Sequence, residues 1–327
     1  MTPFDTPRYI DTNGIRMALY EQGPGKQGPG SGKGQSKGEG KGKPIVLCHG
    51  FPELAFSWRH QMQPLADNGY HVIAPDQRGY GRTDKPRAVE DYDIVHLTND
   101  LVGLLDHYGY DDAIFVGHDW GAIVVWAMPV LHPTRVAGVI NLSVPFMDRG
   151  TTEWVGFWEK MLGPDFYIVH FNRQPGVADA AFAKDPKNLL RNLYRTDQWN
   201  APPRASRPGM AMVNLVEDED PPGRLMMSEA ELDVFADAFT KGGFTGPINW
   251  YRNFTRNWHT LGHYPQRVDC PALMIHGSHD IVPPSDKLKQ FVPDVEVATL
   301  DCGHWIQQEK PAETNALMLD WLRRRAP

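Results

Sequence analysis

The stretch Gly117-His-Asp-Trp-Gly-Ala122 centres an aspartate, Asp119, between two glycines, after an apolar run at 113–116 and before a helix-length apolar segment at 121–131. A sharp strand-to-helix turn brings backbones close together, so small residues must flank a strained central residue whose side chain is to be presented outward. Asp119 occupies the place that the serine takes in a G-x-S-x-G elbow. An aspartate carboxylate is ionised at neutral pH, so it can attack carbon without a base to activate it. Taken alone the pattern is weak, because an aspartate at a strand end more often caps a helix. Two partners strengthen it. Asp280, in Gly277-Ser-His-Asp-Ile281, follows an apolar run at 272–276, and His304, in Asp301-Cys-Gly-His-Trp305, follows the run Val295–Leu300. Any one of the 13 histidines is more often structural than catalytic. Position just beyond a strand singles out His304, and the order along the chain is nucleophile, acid, base.

An acyl intermediate on Asp119 would need donors for its developing oxyanion. Phe51, in His49-Gly-Phe-Pro-Glu53 after the run Pro44–Cys48, and Trp120 offer backbone N–H groups for that purpose. Pro52 leaves two options open, a cis peptide bond that aims the Phe51 N–H inward or an ordinary turn. His276 and His279 invite a metal reading, but i, i+3 spacing on a strand-to-loop segment does not face one ion, so a surface or supporting role is expected and no metal. The acidic run at 217–220 is read as a solvated loop, because adjacent carboxylates repel.

Elements able to position these residues follow from the pattern. Apolar runs bounded by turn residues at Pro44–Cys48, His71–Pro75, 113–116, Val136–Leu142, 272–276 and Val295–Leu300 read as buried strands. Helical stretches at Ile94–Tyr108, 121–131 and Pro311–Arg325 lie among them. Alternation of this kind predicts an α/β fold with a mostly parallel sheet covered on both faces, and catalytic groups at the carboxyl ends of its strands. Residues 9–22 read as a hairpin turning at Asn13-Gly14. Residues 23–43 are nearly all Gly, Lys, Pro, Ser and Gln, and are expected to form a flexible, solvated insertion in a hairpin connection. From about 145 to 265 the alternation stops, and Trp, Phe, Met and charged residues at helical spacing predict a helical insertion. Ser228-Glu-Ala-Glu231 offers a capping box for a helix running toward Thr240.

Composition bounds the rest. With 327 residues, 41% of them hydrophobic and 22% charged, the chain is long enough for one or two globular domains. A net charge of -7 argues against a general nucleic-acid binder. Three scattered cysteines, Cys48, Cys270 and Cys302, fit neither a disulfide framework nor a zinc site. With no long apolar stretch near Met1, a cytoplasmic location away from membranes is expected.

The motifs His49-Gly-Phe-Pro-Glu53, Gly117-His-Asp-Trp-Gly-Ala122, Asn249-Trp-Tyr-Arg-Asn253 and Asp301-Cys-Gly-His-Trp305 together resemble the signatures of soluble epoxide hydrolases, over nearly the whole chain. The resemblance implies an α/β-hydrolase core at 1–145 and 266–327 and a helical cap at 146–265. It implies two cap tyrosines that hold the epoxide oxygen, Tyr251 and, in Asp165-Phe-Tyr-Ile-Val-His-Phe171, Tyr167. Asp119 would form an ester with an epoxide carbon, and His304, oriented by Asp280, would activate the water that releases a vicinal diol. No cofactor is implied, and the partners are an epoxide and water. Haloalkane dehalogenases resemble the same Asp, His and acid arrangement and form the main alternative. A receptor-like protein reusing the fold is the more distant one. Trp154, Trp158, Phe146 and Trp250, with Met210, Met212, Met226 and Met227, suggest an apolar substrate pocket, although such residues at helical spacing are more often plain core.

Overall fold

The computed structural model describes residues 4–24, 42–200, 212–219 and 221–325. Its strands are β1 Arg8–Thr12, β2 Ile15–Gln22, β3 Pro44–Cys48, β4 His71–Pro75, β5 Ala113–His118, β6 Val136–Leu142, β7 Arg195–Thr196, β8 Arg224–Leu225, β9 Ala272–Gly277 and β10 Val295–Leu300. The helices are α1 Met62–Asp67, α2 Ile94–Tyr108, α3 Trp120–Leu131, α4 Trp154–Leu162, α5 Tyr167–Arg173, α6 Val177–Phe182, α7 Pro186–Leu193, α8 Glu229–Gly242, α9 Thr245–Arg252, α10 Phe254–Leu261, α11 Leu288–Phe291, α12 Ile306–Glu309 and α13 Pro311–Arg325.

Eight strands form one sheet in the order β1-β2-β4-β3-β5-β6-β9-β10. The pairs β1/β2 and β2/β4 are antiparallel and the others parallel. Every residue of β3, β4 and β5 is buried, as expected for continuous apolar runs with helices on both faces. One face carries Val46, Phe115 and Met274 under α2 and α3, and the other carries Leu47, Val116 and Ile275 against α1 and α13. Asn13 and Gly14, both with positive φ, close the β1–β2 hairpin.

Three expectations are corrected. The insertion at 23–43 does not connect a hairpin, because it joins β2 to β3 and β4 lies between them in the sheet. Its neck is closed where the Gly42 N–H donates to the Pro24 carbonyl at 3.0 Å, and residues 25–41 lie outside the described residues. Strand β5 runs two residues past its apolar run, because Gly117 and His118 keep register with Asn141 and Leu142. Lastly, the stretch between β6 and β9 is not purely helical: α4 to α10 are accompanied by a two-stranded antiparallel ribbon, β7/β8. Strands of two residues are too short to show a period of two.

Local signals set the helix ends. The Asp93 side chain accepts from the His96 N–H at the start of α2, and Gly109, with φ 65°, ends it. Ser228 and Glu231 form the reciprocal capping box of α8. Three side chains fasten the helices after β6 to the sheet layer: Trp250 Nε1 donates to the Arg78 carbonyl at 3.0 Å, Asn253 Nδ2 to the Val89 carbonyl at 2.6 Å, and Asn257 Oδ1 accepts from the Ile94 N–H at 2.8 Å.

Candidate active site

At the junction of β5 and α3, Asp119 adopts φ 52° and ψ -119°, a conformation that non-glycine residues rarely occupy. Its neighbours must be small. A Cβ on Gly121 would lie 1.9 Å from the Cys48 carbonyl oxygen, one on Gly117 would lie 2.4 Å from that of Gly121, and one on Gly50 would lie 2.5 Å from Asp119 Cβ. The strained turn lifts the carboxylate toward the loop after β3, where the Phe51 N–H donates to Asp119 Oδ1 at 2.7 Å. The Phe51–Pro52 peptide is cis. Trp120 opens α3 directly after Asp119, so its N–H has no acceptor within the helix.

His304 and Asp280 reach the site from the loops after β10 and β9. His304 Nε2 is 3.6 Å from Asp119 Oδ2, and its Nδ1 is 2.9 Å from Asp280 Oδ1. Ser143, directly after β6 and with φ 76°, donates to Asp280 Oδ2 at 2.5 Å, its oxygen 2.9 Å from His304 Nδ1. Burial alone would raise the Asp280 carboxyl, but His304, Ser143 and the Val282 N–H hold it well below the usual carboxylate range. Burial likewise disfavours a charged His304. Asp280 and Asp119 outweigh it and hold the imidazole well above its ordinary pKa. The imidazole is wedged between two carboxylates that both favour its protonated form.

Sequence reading assigned no role to Ser143, whose only signal is a hydroxyl at the carboxyl end of an apolar strand. Glu53 and His118 were also missed, although both stand inside quoted motifs. Glu53, fully buried, accepts from the Gly50 N–H at 2.9 Å and pairs with His118 Nδ1 at 2.7 Å. His118 Nε2 in turn bonds the His304 carbonyl at 2.8 Å. Burial would raise the Glu53 carboxyl, yet His118, the Gly50 N–H and His49 bring it down to about 2. Gln307 and Gln308 each donate to its other oxygen at 3.1 Å. A buried polar network thus ties the loop carrying Phe51 to the loop carrying His304.

Tyr167, the first residue of α5, and Tyr251, in α9, stand with ring centroids 5.7 Å apart at an interplanar angle of 76°. Tyr251 packs edge-to-face on Phe51, Trp120 and Phe171 with centroids 5.1 to 5.2 Å away. Burial pushes both phenols up; Asp119 adds to the shift of Tyr167, and Tyr167 and Asp119 to that of Tyr251. Both effects favour the protonated, proton-donating phenols. The Asn172 amide holds the Tyr251 carbonyl at 3.0 Å, and Arg252 pairs with Asp179 of α6.

Among the residues expected to line an apolar pocket, Trp250 is wholly buried, an anchor between α9 and the core. Phe146 and Trp154 border a crevice beside α3 together with Ile123 and Phe254, and Trp158 packs on Phe254 at 5.0 Å. Met227 is buried and Met212 and Met226 are partly buried against the core; Met210 lies outside the described residues. His276 is buried, 5% exposed, and not at the surface, because β9 carries its side chain inward. His279 bonds Asp301 at 2.9 Å and stacks on Trp199. No group of three His, Cys, Asp or Glu side chains among the described residues is placed to hold a metal ion, and none of their helices is long and apolar enough to cross a membrane.

Residues 43–311 match the family model of the alpha/beta hydrolase fold. The chain is 41% identical to Epoxide hydrolase A of Mycobacterium tuberculosis, with 97% of each covered. It is 36% identical to Bifunctional epoxide hydrolase 2 of Rattus norvegicus, where the match takes in 85% of this chain and 51% of the rat protein. The crystal structure of Epoxide Hydrolase A from Mycobacterium thermoresistibile superposes with a TM-score of 0.82 at 40% identity, covering 97% of this chain and 98% of that one. With strand order, elbow and near full-length identity in agreement, this chain belongs to the epoxide hydrolase family of the α/β-hydrolase fold.

Proposed function

We propose that this protein hydrolyses an apolar epoxide to a vicinal diol through a covalent ester on Asp119. Residues 1–145 and 266–327 act as the catalytic core, and 146–265 as a cap that supplies Tyr167 and Tyr251. The observation that carries the reading is the carboxylate of Asp119, held by the Phe51 N–H at 2.7 Å on one oxygen and facing His304 at 3.6 Å with the other. Oδ2 attacks the epoxide carbon. The ring C–O bond breaks, and its oxygen takes a proton from one of the phenols. Oδ1 becomes the ester carbonyl oxygen, already at an amide donor.

Ester formation removes the Asp119 charge, one of the two carboxylates that keep His304 protonated. The imidazolium proton then restores the phenol, and His304 is left neutral, as a general base must be. It takes a proton from water, whose oxygen adds to the ester carbonyl. Phe51 and Trp120 N–H groups stabilise the resulting oxyanion. Collapse of that intermediate breaks the ester C–O bond, the departing alkoxide takes the proton of the added hydroxyl to become the diol, and the carboxylate returns with His304 protonated again. Two buried phenols packed together beside Phe51 and Trp120 favour epoxide opening over halide release, and the nucleophile, base and acid together favour an enzyme over a receptor.

Single turnover in ¹⁸O-labelled water, with enzyme in excess, tests the covalent route. The first diol is expected to carry oxygen from Asp119 and no solvent label. Prompt solvent label in that diol rules the route out.

A further inference from the structure

The carboxylate of Glu309, at the end of α12, accepts two backbone hydrogen bonds, from the Gly303 N–H at 3.1 Å and from the Trp305 N–H at 3.0 Å. These are the amides on either side of His304. A third bond arrives from the region after β6: Thr196 Oγ1, on β7, donates to Glu309 Oε2 at 2.7 Å. The packing is close, since a Cβ on Gly303 would lie 3.0 Å from Glu309 Oε1 and 2.7 Å from the Trp199 ring. Neighbours of Thr196 grip the same loops. Trp305 Nε1 donates to the Leu193 carbonyl at 3.1 Å, and Trp199 stacks on His279, next to Asp280, with centroids 4.3 Å apart.

We infer that Glu309 is the positioning residue of the base: its carboxylate fixes the backbone on both sides of His304, and Thr196 carries the cap's hold on that carboxylate. The inference rests on the covalent mechanism proposed above. Glu309 touches no reacting atom. A carboxylate suits the task because both of its oxygens accept, and hydrogen bonds to a charged acceptor are stronger than neutral ones. A glutamine of the same shape turns one of those oxygens into an NH2 group facing an N–H, so at least one bond is lost. His304 serves as a base only in the second half-reaction, so a displaced loop slows ester hydrolysis and leaves ester formation largely intact. Loss of fold or of cap closure would instead depress both steps together.

The experiment is single turnover of full-length wild type, Glu309→Gln and Thr196→Val with an aryl-substituted epoxide, following the ester by intact mass and the diol by chromatography. Glu309→Gln is expected to form the ester at nearly the wild-type rate and to hydrolyse it about 10- to 100-fold more slowly, the scale of a misplacement of about 1 Å. Wild-type hydrolysis in this variant, or an equal fall in both steps, overturns the inference. Should Glu309→Gln not fold, Thr196→Val decides: slowed hydrolysis with unchanged ester formation supports the placement, and unchanged hydrolysis overturns it. Absence of any ester in wild type would overturn the covalent mechanism itself, a result distinct from either outcome.

Discussion

Replacing His304 by glutamine separates the two chemical steps. In the structure His304 touches the nucleophile only through a 3.6 Å approach to Asp119 Oδ2, while the Phe51 N–H holds the other oxygen at 2.7 Å. Attack on the epoxide therefore keeps its nucleophile, its amide contact and both phenols. Water activation loses the base that faces Asp119. General-base catalysis contributes about 10²- to 10⁴-fold. At roughly 1.36 kcal/mol per tenfold, that raises the hydrolytic barrier by about 2.7 to 5.4 kcal/mol. The variant is expected to accumulate the alkyl-enzyme: after rapid mixing with excess epoxide and acid quench, intact mass spectrometry finds nearly stoichiometric protein heavier by one epoxide, and peptide mapping places it on Asp119. Diol release becomes the slow step. No adduct with an epoxide that the wild type converts, or diol formation within about tenfold of wild type, below the usual range for a lost base, would refute the division of labour between Asp119 and His304.

Other perturbations read other parts of the site. Tyr167→Phe with Tyr251→Phe removes both proton donors to the ring oxygen, and intact mass spectrometry is expected to find no ester at all, whereas either single variant retains slow alkylation. Because burial and Asp119 raise both phenols, ester formation is expected to persist past pH 10, where an ordinary tyrosine is half ionised, and a fall centred near pH 10 in stopped-flow alkylation would contradict that placement. Ser143→Ala removes a donor to the buried Asp280 carboxylate and is expected to cost about 1.5 to 3 kcal/mol in chemical denaturation, the usual worth of a hydrogen bond to a charged group. Asp280 has a depressed folded-state pKa, so its contribution to stability is present above the unfolded carboxylate range and is lost as pH falls through the folded value. Ser143→Ala raises that folded value, and acid unfolding is expected to begin at a higher pH than in wild type.

The strands and the elbow were legible because their signals are local. Apolar runs at Pro44–Cys48, His71–Pro75 and Val136–Leu142 match the strands end to end, and the glycines at 117 and 121 mark a turn that no side chain fits. What escaped was set by contacts across the chain. Nothing local places β4 between β2 and β3, so the insertion at 23–43 looked like a hairpin loop. Strand β5 outran its apolar run because His118 finds polar partners in Glu53 and the His304 carbonyl, one of them 65 and the other 186 residues away. Ser143 and Glu309 carry no motif of their own. Their roles come from two loops meeting at the carboxyl edge of the sheet. Trp250 looked like pocket lining, since an aromatic at helical spacing reads the same whether it faces a substrate or, as here, the carbonyl of Arg78.

Charge bookkeeping explains why the proposed cycle suits a buried site. The proposed cycle starts from an anionic Asp119, a cationic His304 and an anionic Asp280, a sum of one negative charge, and uncompensated buried charge is costly. In the ester state Asp119 is neutral. If His304 kept its proton, the trio would shift to zero net charge while a tyrosinate sat unpaired beside it. Passing that proton to the phenol restores a neutral tyrosine, leaves Asp280 as the one charge, and keeps the total unchanged. Hydrolysis returns the proton from water to His304 and the negative charge to Asp119 together. No step then requires the interior to hold more net charge than the resting enzyme already does, and the group that must become a base is freed by the same bond that creates its substrate.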